Sequence, residues 1–138
     1  MTKNEIMTYL LNLAFDNGIA VSIERVHSHT PSAANVNQKR VFINSNWYRP
    51  EEIIFQLAHE LGHIFCKHGD LDVLYFSPSK RGIELEANRY AIKLLLPFYL
   101  DGKEPYYVNL EQFIDCFSIP MHLENIVEQE MREKIREI

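Results

Sequence analysis

The run IIFQLAHELGHIF, residues 53–65, is the most informative part of the sequence. Pro50 and two glutamates precede it, and a proline in the first turn with acidic side chains near the exposed amide groups is typical of a helix start. Apolar residues then recur at spacings of three and four, the period of a helix with a buried stripe. These residues are Ile54, Leu57, Ala58, Leu61 and Phe65. We expect this helix to form the centre of the domain and to end near Gly69.

The same run contains a His-Glu-x-x-His pattern, formed by His59, Glu60 and His63. Residues four positions apart lie on the same face of a helix, so both imidazole rings can direct a nitrogen towards one metal ion. Glu60 lies about 60° from His63 around the helix axis. It can therefore reach a water molecule on that metal without being a ligand itself. An amphipathic helix without a metal has no use for this acid and favours stronger helix formers than Gly62.

A catalytic zinc site usually has three protein ligands and one position for water. A longer form of the motif places a third histidine six residues after the second, but Gly69 stands there, which excludes that form. A second helix is predicted from about Gly82 to Leu96, ended by Pro97, and it carries Glu84 and Glu86. These two acids lie about 160° apart around the axis, so at most one can face the metal. Helical geometry alone does not decide whether Glu84 or Glu86 is the third ligand.

The block at residues 59–63, followed by ELEANRYA at 84–91 and LLLP at 94–97, resembles the ImmA/IrrE metallopeptidases. These are zinc proteins of bacteria and phages, and their signature pairs a histidine helix with a following Glu-x-Glu-Ala-Asn-x-Phe-Ala-x-x-Leu-Leu-Met-Pro helix. Tyr90 stands where the family usually has phenylalanine, and Leu96 where it often has methionine. Neither departure touches the residues expected to bind metal.

The resemblance implies a set of site residues. The metal would be Zn²⁺, and its protein ligands would be His59, His63 and Glu84. Glu60 would be the catalytic base. Glu86 would then lie outside the ligand set, and Asn88 would orient a ligand from the face that it shares with Glu84.

The flanks of the motif predict the remaining elements. Alternating residues indicate a strand over residues 19–26, a polar segment at 27–38 is read as a loop, and a second strand follows at Arg40 to Asn44. We interpret the two strands as a hairpin, with the second at an edge where it could hold an extended peptide. A helix near the start of the chain and two after Leu110 complete the prediction. The expected fold is α+β: a mainly helical, zincin-like single domain spanning 1–138, with a small β-sheet beside the histidine helix.

Composition narrows the possible functions. The chain has 138 residues, 46% of them hydrophobic, which suits one globular core. No apolar run reaches the ~20 residues needed to span a membrane, and the first residues lack a secretory signal, so we expect a cytoplasmic protein. The net charge of −5 opposes direct binding to nucleic acid. Cys66 and Cys116 are read as reduced thiols.

The resemblance also implies a function. Similar proteins act on helix-turn-helix repressors of phages, mobile elements or stress regulons, so we expect a zinc-dependent metalloendopeptidase that cleaves or inactivates such a repressor. The alternative is a zinc-containing binding module that sequesters the repressor without cutting it. A pure binder has no need for Glu60, which favours the enzyme.

Overall fold

The computed structural model describes residues 1–67, 74–75 and 82–137. The helix end expected at Gly69 lies outside these residues. The described elements are α1 (Lys3–Asp16), β1 (Ala20–Glu24), β2 (Ala33–Asn35), β3 (Arg40–Asn44), α2 (Ile53–Phe65), β4 (Leu74–Tyr75), α3 (Gly82–Leu100), α4 (Leu110–Phe117) and α5 (Glu124–Arg136). The expected mainly helical α+β class with a small sheet is confirmed. None of the described helices is long and apolar enough to cross a bilayer.

The sheet has the strand order β1-β3-β2-β4. β1 and β3 run parallel, with Val21 opposite Val41, so the hairpin expected between them is wrong. The hairpin joins β2 to β3 instead, and β2 lies in the segment predicted as a loop. The sequence does not predict β2 because this strand has only three residues, two alanines and an asparagine, and both residue types have low strand propensity.

This topology also changes the role expected for β3. Residues Arg40 to Phe42 pair with β1 on one side and with β2 on the other. β3 is therefore an internal strand at these positions, and the expectation that it is a free edge for an extended peptide is wrong. Its amide and carbonyl groups are already used in the two ladders.

α2 lies at the centre of the fold, as expected. It packs against α1, α3, β2 and β3. Every residue from Ile54 to Ile64 is buried, so α2 has no solvent-facing side over this range and the expected single stripe underestimates its burial. A 3₁₀ turn at Pro50–Glu52 precedes it, and Lys67 adopts a left-handed conformation with φ of 58° just after its end. The polar residues of α2 are thus enclosed by neighbouring elements.

Gly62 allows α2 and α3 to approach closely. A Cβ atom at Gly62 would lie 2.9 Å from the carbonyl oxygen of Ala87, 3.1 Å from Ala87 Cα and 3.2 Å from Tyr90 Cβ. All three distances are shorter than ordinary van der Waals contact. The residue that is a weak helix former by propensity is therefore required by packing.

α3 continues past the residue at which it is predicted to end. Pro97 lies inside the helix, which runs to Leu100. A proline here removes one backbone hydrogen bond near the end of the helix, while the last turn buries Tyr99 and Leu100 in the core. Packing thus outweighs the local effect of the proline.

Candidate metal centre

α2 and α3 bring three predicted ligands together. The Nε2 atoms of His59 and His63 lie 3.1 Å apart. Glu84 Oε2 is 3.0 Å from His59 Nε2, and Glu84 Oε1 is 3.1 Å from His63 Nε2. Both histidines are fully buried, whereas 15% of the Glu84 side chain is exposed. The three side chains therefore converge at a point reached from the surface on the Glu84 side.

The spacing of these donor atoms fits a zinc ion. Tetrahedral ligands at about 2.0–2.1 Å from zinc lie about 3.3–3.4 Å from one another. The observed separations of 3.0–3.1 Å are shorter than that value by about 0.2–0.4 Å, and Glu84 makes its two with different oxygens, Oε2 to His59 and Oε1 to His63. Two imidazole nitrogens and one carboxylate are also a known donor set of catalytic zinc sites. The residues present thus fit the metal that the sequence implies.

Asn88 contacts the ring of His59 at the nitrogen that faces away from Glu84 and His63. Its Oδ1 lies 2.7 Å from His59 Nδ1, and both residues are fully buried. A side-chain carbonyl oxygen can only accept a hydrogen bond, so Nδ1 donates to Asn88. The other ring nitrogen, Nε2, faces Glu84 and His63. Whether Asn88 orients a metal ligand, as the family resemblance implies, stays a prediction.

Glu60 lies beside the three converging side chains and is fully buried. One of its carboxylate oxygens is within 4.8 Å of a ring nitrogen of each histidine. The hydroxyl of Ser32 donates a hydrogen bond of 2.6 Å to Oε2. Oε1 has no hydrogen-bond partner among the described residues. One oxygen is thus held and the other is available for a water or substrate atom.

The two carboxyl groups of the site have opposite pKa shifts. Burial raises the pKa of Glu60 to about 8, and the hydrogen bond from Ser32 offsets only part of this effect. Burial acts in the same sense on Glu84, but hydrogen bonds with His59 and His63 outweigh it and lower its pKa to about 2. A pair of carboxyl groups with separated pKa values is typical of a site where one binds charge and the other exchanges a proton.

The structure separates the two acids that helical geometry left open. Glu84 contacts both histidines, whereas Glu86 is exposed on α3. Of the two acids, Glu84 is therefore the one that lies against the histidines.

Sequence reasoning missed two buried polar residues near the site. Ser32 lies in the segment predicted as a loop, and no sequence signal linked it to Glu60. Gln56 is fully buried, and neither atom of its amide has a hydrogen-bond partner among the described residues. It precedes Glu60 by four positions and so lies on the same face of α2, a spacing that the sequence does contain.

These observations define a class of protein. A metal-dependent hydrolase of the His-Glu-x-x-His type has two histidines one turn apart on a buried helix and a glutamate after the first of them. The site has both, together with a carboxylate from the next helix. The family model for the IrrE N-terminal-like domain, Peptidase_M78, matches residues 16–98, more than half of the chain. The chain therefore belongs to this metallopeptidase family, and the resemblance to the ImmA/IrrE proteins is confirmed. No curated protein and no solved structure matches the chain significantly.

Proposed function

We propose that this chain is a zinc-dependent endopeptidase. The convergence of His59, His63 and Glu84, with donor atoms 3.0–3.1 Å apart and Glu60 beside them, is the observation that carries the proposal. These three residues would hold the ion, and Asn88 would keep His59 in the tautomer that binds it. Bound zinc supplies a Lewis acid that polarises a carbonyl and lowers the pKa of water to about 7.

Glu60 supplies the proton transfer in this proposal. Its pKa of about 8 applies without a metal, and the positive charge of bound zinc would lower this pKa and favour the carboxylate. The oxygen Oε1 of Glu60, which has no partner among the described residues, then accepts a proton from the attacking water. The water oxygen then attacks the carbonyl carbon of the peptide bond. Glu60 passes the proton to the nitrogen that leaves, so the carboxylate is regenerated at the end of the cycle. Ser32 stays hydrogen-bonded to the other oxygen.

The proposed substrate is a helix-turn-helix repressor of a phage, a mobile element or a stress regulon, reached in the cytoplasm. Membership of the Peptidase_M78 family supports a protein substrate, and the repressor is the substrate that the resemblance to the ImmA/IrrE proteins implies. The net charge of −5 bears on how such a repressor would be approached. An acidic chain gains no counterion-release energy from DNA, so it would meet a DNA-bound regulator through the protein and not through the duplex.

The test uses purified chain, Zn²⁺ and the repressor encoded nearest to its gene, with fragments detected by mass spectrometry. We expect one zinc per wild-type chain and a discrete cleavage. Glu60→Gln should keep the metal and lose the cleavage, while His59→Ala should lose both. Glu86→Gln, the same chemical change at an exposed acid of α3, is the matched control and should leave both unchanged.

The alternative function gives the opposite result. A module that binds and sequesters the repressor leaves it intact, and wild type and Glu60→Gln inhibit it equally. Full cleavage by Glu60→Gln would instead remove Glu60 from the mechanism while leaving a peptidase.

A further inference from the structure

Ser32 is a fully buried serine with one described side-chain contact, the hydrogen bond of 2.6 Å to Glu60. It immediately precedes β2, whose residues Ala33 and Ala34 are buried and pair with both β3 and β4. A strand held in two ladders has little freedom to shift. The backbone that carries Ser32 is thus fixed relative to the sheet, and the sheet packs on α2.

The segment that leads into Ser32 is fixed as well. Asn44, at the end of β3, is fully buried, and its Nδ2 donates to the carbonyl oxygens of His27 and Thr30 at 2.7 and 3.0 Å. Its Oδ1 accepts from the amides of Val26 and Asn46 at 3.3 and 2.9 Å. One side chain thus uses two donor and two acceptor positions to tie residues 26–30 to the sheet.

We propose that Ser32 is a positioning residue for the proton-transfer step: its hydroxyl holds Oε2 of Glu60 so that Oε1 is directed towards the metal centre. This inference rests on the proposed function and extends it to a residue outside the His-Glu-x-x-His helix. A glutamate has three side-chain torsions, and the last is broad and weakly restricted. A hydrogen bond at one oxygen fixes that torsion and thereby the direction of the other oxygen.

The contact is more specific than general support of a buried acid. A buried carboxylate is stabilised by any donor, at either oxygen. Here Ser32 donates to one oxygen of Glu60, and the second oxygen has no partner among the described residues. One of the two oxygens lies within 4.8 Å of a ring nitrogen of each histidine. The asymmetry is what a proton acceptor requires, because the accepting oxygen must be free.

The first experiment measures steady-state cleavage of the repressor by Ser32→Ala. Loss of an outer hydrogen bond at a metal site typically costs 10–100-fold in activity, and we expect kcat to fall by about that factor. KM should change by less than about twofold, and the zinc content should stay at one per chain, because Ser32 contacts neither substrate nor ligand in the proposal. Ser22→Ala, the same change in the half-buried edge strand β1, is the control and should match wild type.

The second experiment is independent of activity. Crystal structures of the zinc-loaded wild type and of Ser32→Ala should differ in the direction of the Glu60 carboxylate, with Oε1 facing the metal only in wild type. The inference is overturned if the Glu60 carboxylates superpose in the two structures. It is also overturned if Ser32 does not contact Glu60 in the wild-type structure, a result that does not require the variant to fold.

The two proposals fail in different ways. If wild type leaves every substrate intact, the peptidase proposal fails, and the crystal structures still decide whether Ser32 orients the Glu60 carboxylate. If wild type cleaves and Ser32→Ala cleaves with the same kcat, only the positioning role fails.

Discussion

Replacing Gly62 with alanine should weaken both the fold and the metal centre. The added methyl carbon would lie 2.9 Å from the Ala87 carbonyl oxygen, and ordinary contact begins near 3.4 Å, so α2 and α3 must separate by about 0.5 Å. The atoms in the way are backbone and Cβ atoms, which cannot rotate aside. The whole helix pair therefore has to move.

Two energetic effects of the substitution oppose each other. Alanine is favoured over glycine in a helix by about 1 kcal/mol. Overpacking of a well-packed core costs about 1–3 kcal/mol, and three simultaneous contacts with rigid atoms place Gly62→Ala near the upper end. The net loss should be about 2 kcal/mol of unfolding free energy, or a fall in Tm of about 8 °C for a chain of this size.

The same displacement of the two helices should weaken zinc binding at the candidate metal centre. Glu84 lies on α3 and the two histidines lie on α2, so a separation of about 0.5 Å takes the donor atoms beyond the tolerance of about 0.2 Å for a metal ligand. Urea denaturation with a chelator present isolates the packing effect, and zinc titration of the folded protein measures the second effect. A Gly62→Ala variant that is as stable as wild type and binds zinc with the same affinity would refute this account of the helix contact.

Three further predictions use the same chelated and zinc-loaded samples. Glu84→Ala should raise the Kd for zinc by more than the ~10–100-fold typical of outer residues, whereas Glu86→Ala should leave it unchanged; a larger effect from Glu86, read by zinc titration, would reverse the ligand assignment. In chelator, folded Glu60 keeps its proton up to about pH 8 while an ordinary glutamate loses it near 4.5, so unfolding free energy should decline between these values as pH rises. Glu60→Gln should abolish this decline and, from a shift of about 3.5 pH units, stabilise the protein by up to about 5 kcal/mol at pH 8. Parallel curves for the two proteins across this range would contradict the shift. Gln56→Met, which replaces an amide with no partner among the described residues by an apolar chain of similar volume, should raise the unfolding free energy by ~1–3 kcal/mol, and a loss in the urea midpoint would show that the amide is satisfied.

The centre of the fold could be predicted from the sequence because its signals are local. The period of apolar residues in α2 and the spacing of His59 and His63 are set by helical geometry, which does not depend on the rest of the chain. The choice between Glu84 and Glu86 was different. It depends on which face of α3 meets α2, and at Gly62 that face is the one that carries Ala87 and Tyr90. The family pattern indicated Glu84, whereas helical geometry could not rank the two acids.

The predictions that failed depend on long-range contacts. β2 is a strand because its neighbours offer two ladders, not because Ala33 or Asn35 favours extended backbone. Pro97 stays inside α3 because the following turn is buried. Ser32 approaches Glu60 across 28 residues of sequence through the same strand. In each case packing overrides the local propensity from which the prediction was made.

The burial of polar groups on α2 gives a separate argument for a functional site. Gln56, His59, Glu60 and His63 are all fully buried on one helix. Burying such groups costs free energy unless they are paired, and an apolar residue at each position would make a more stable core. Bound metal recovers part of that cost, since a ligand that binds only the folded state stabilises it by about 2.7 kcal/mol at one hundred times its Kd. α2 is buried on all sides and nevertheless carries four polar residues, three of which contact Glu84 or Ser32. The chemistry of the site explains these residues better than the stability of the fold does.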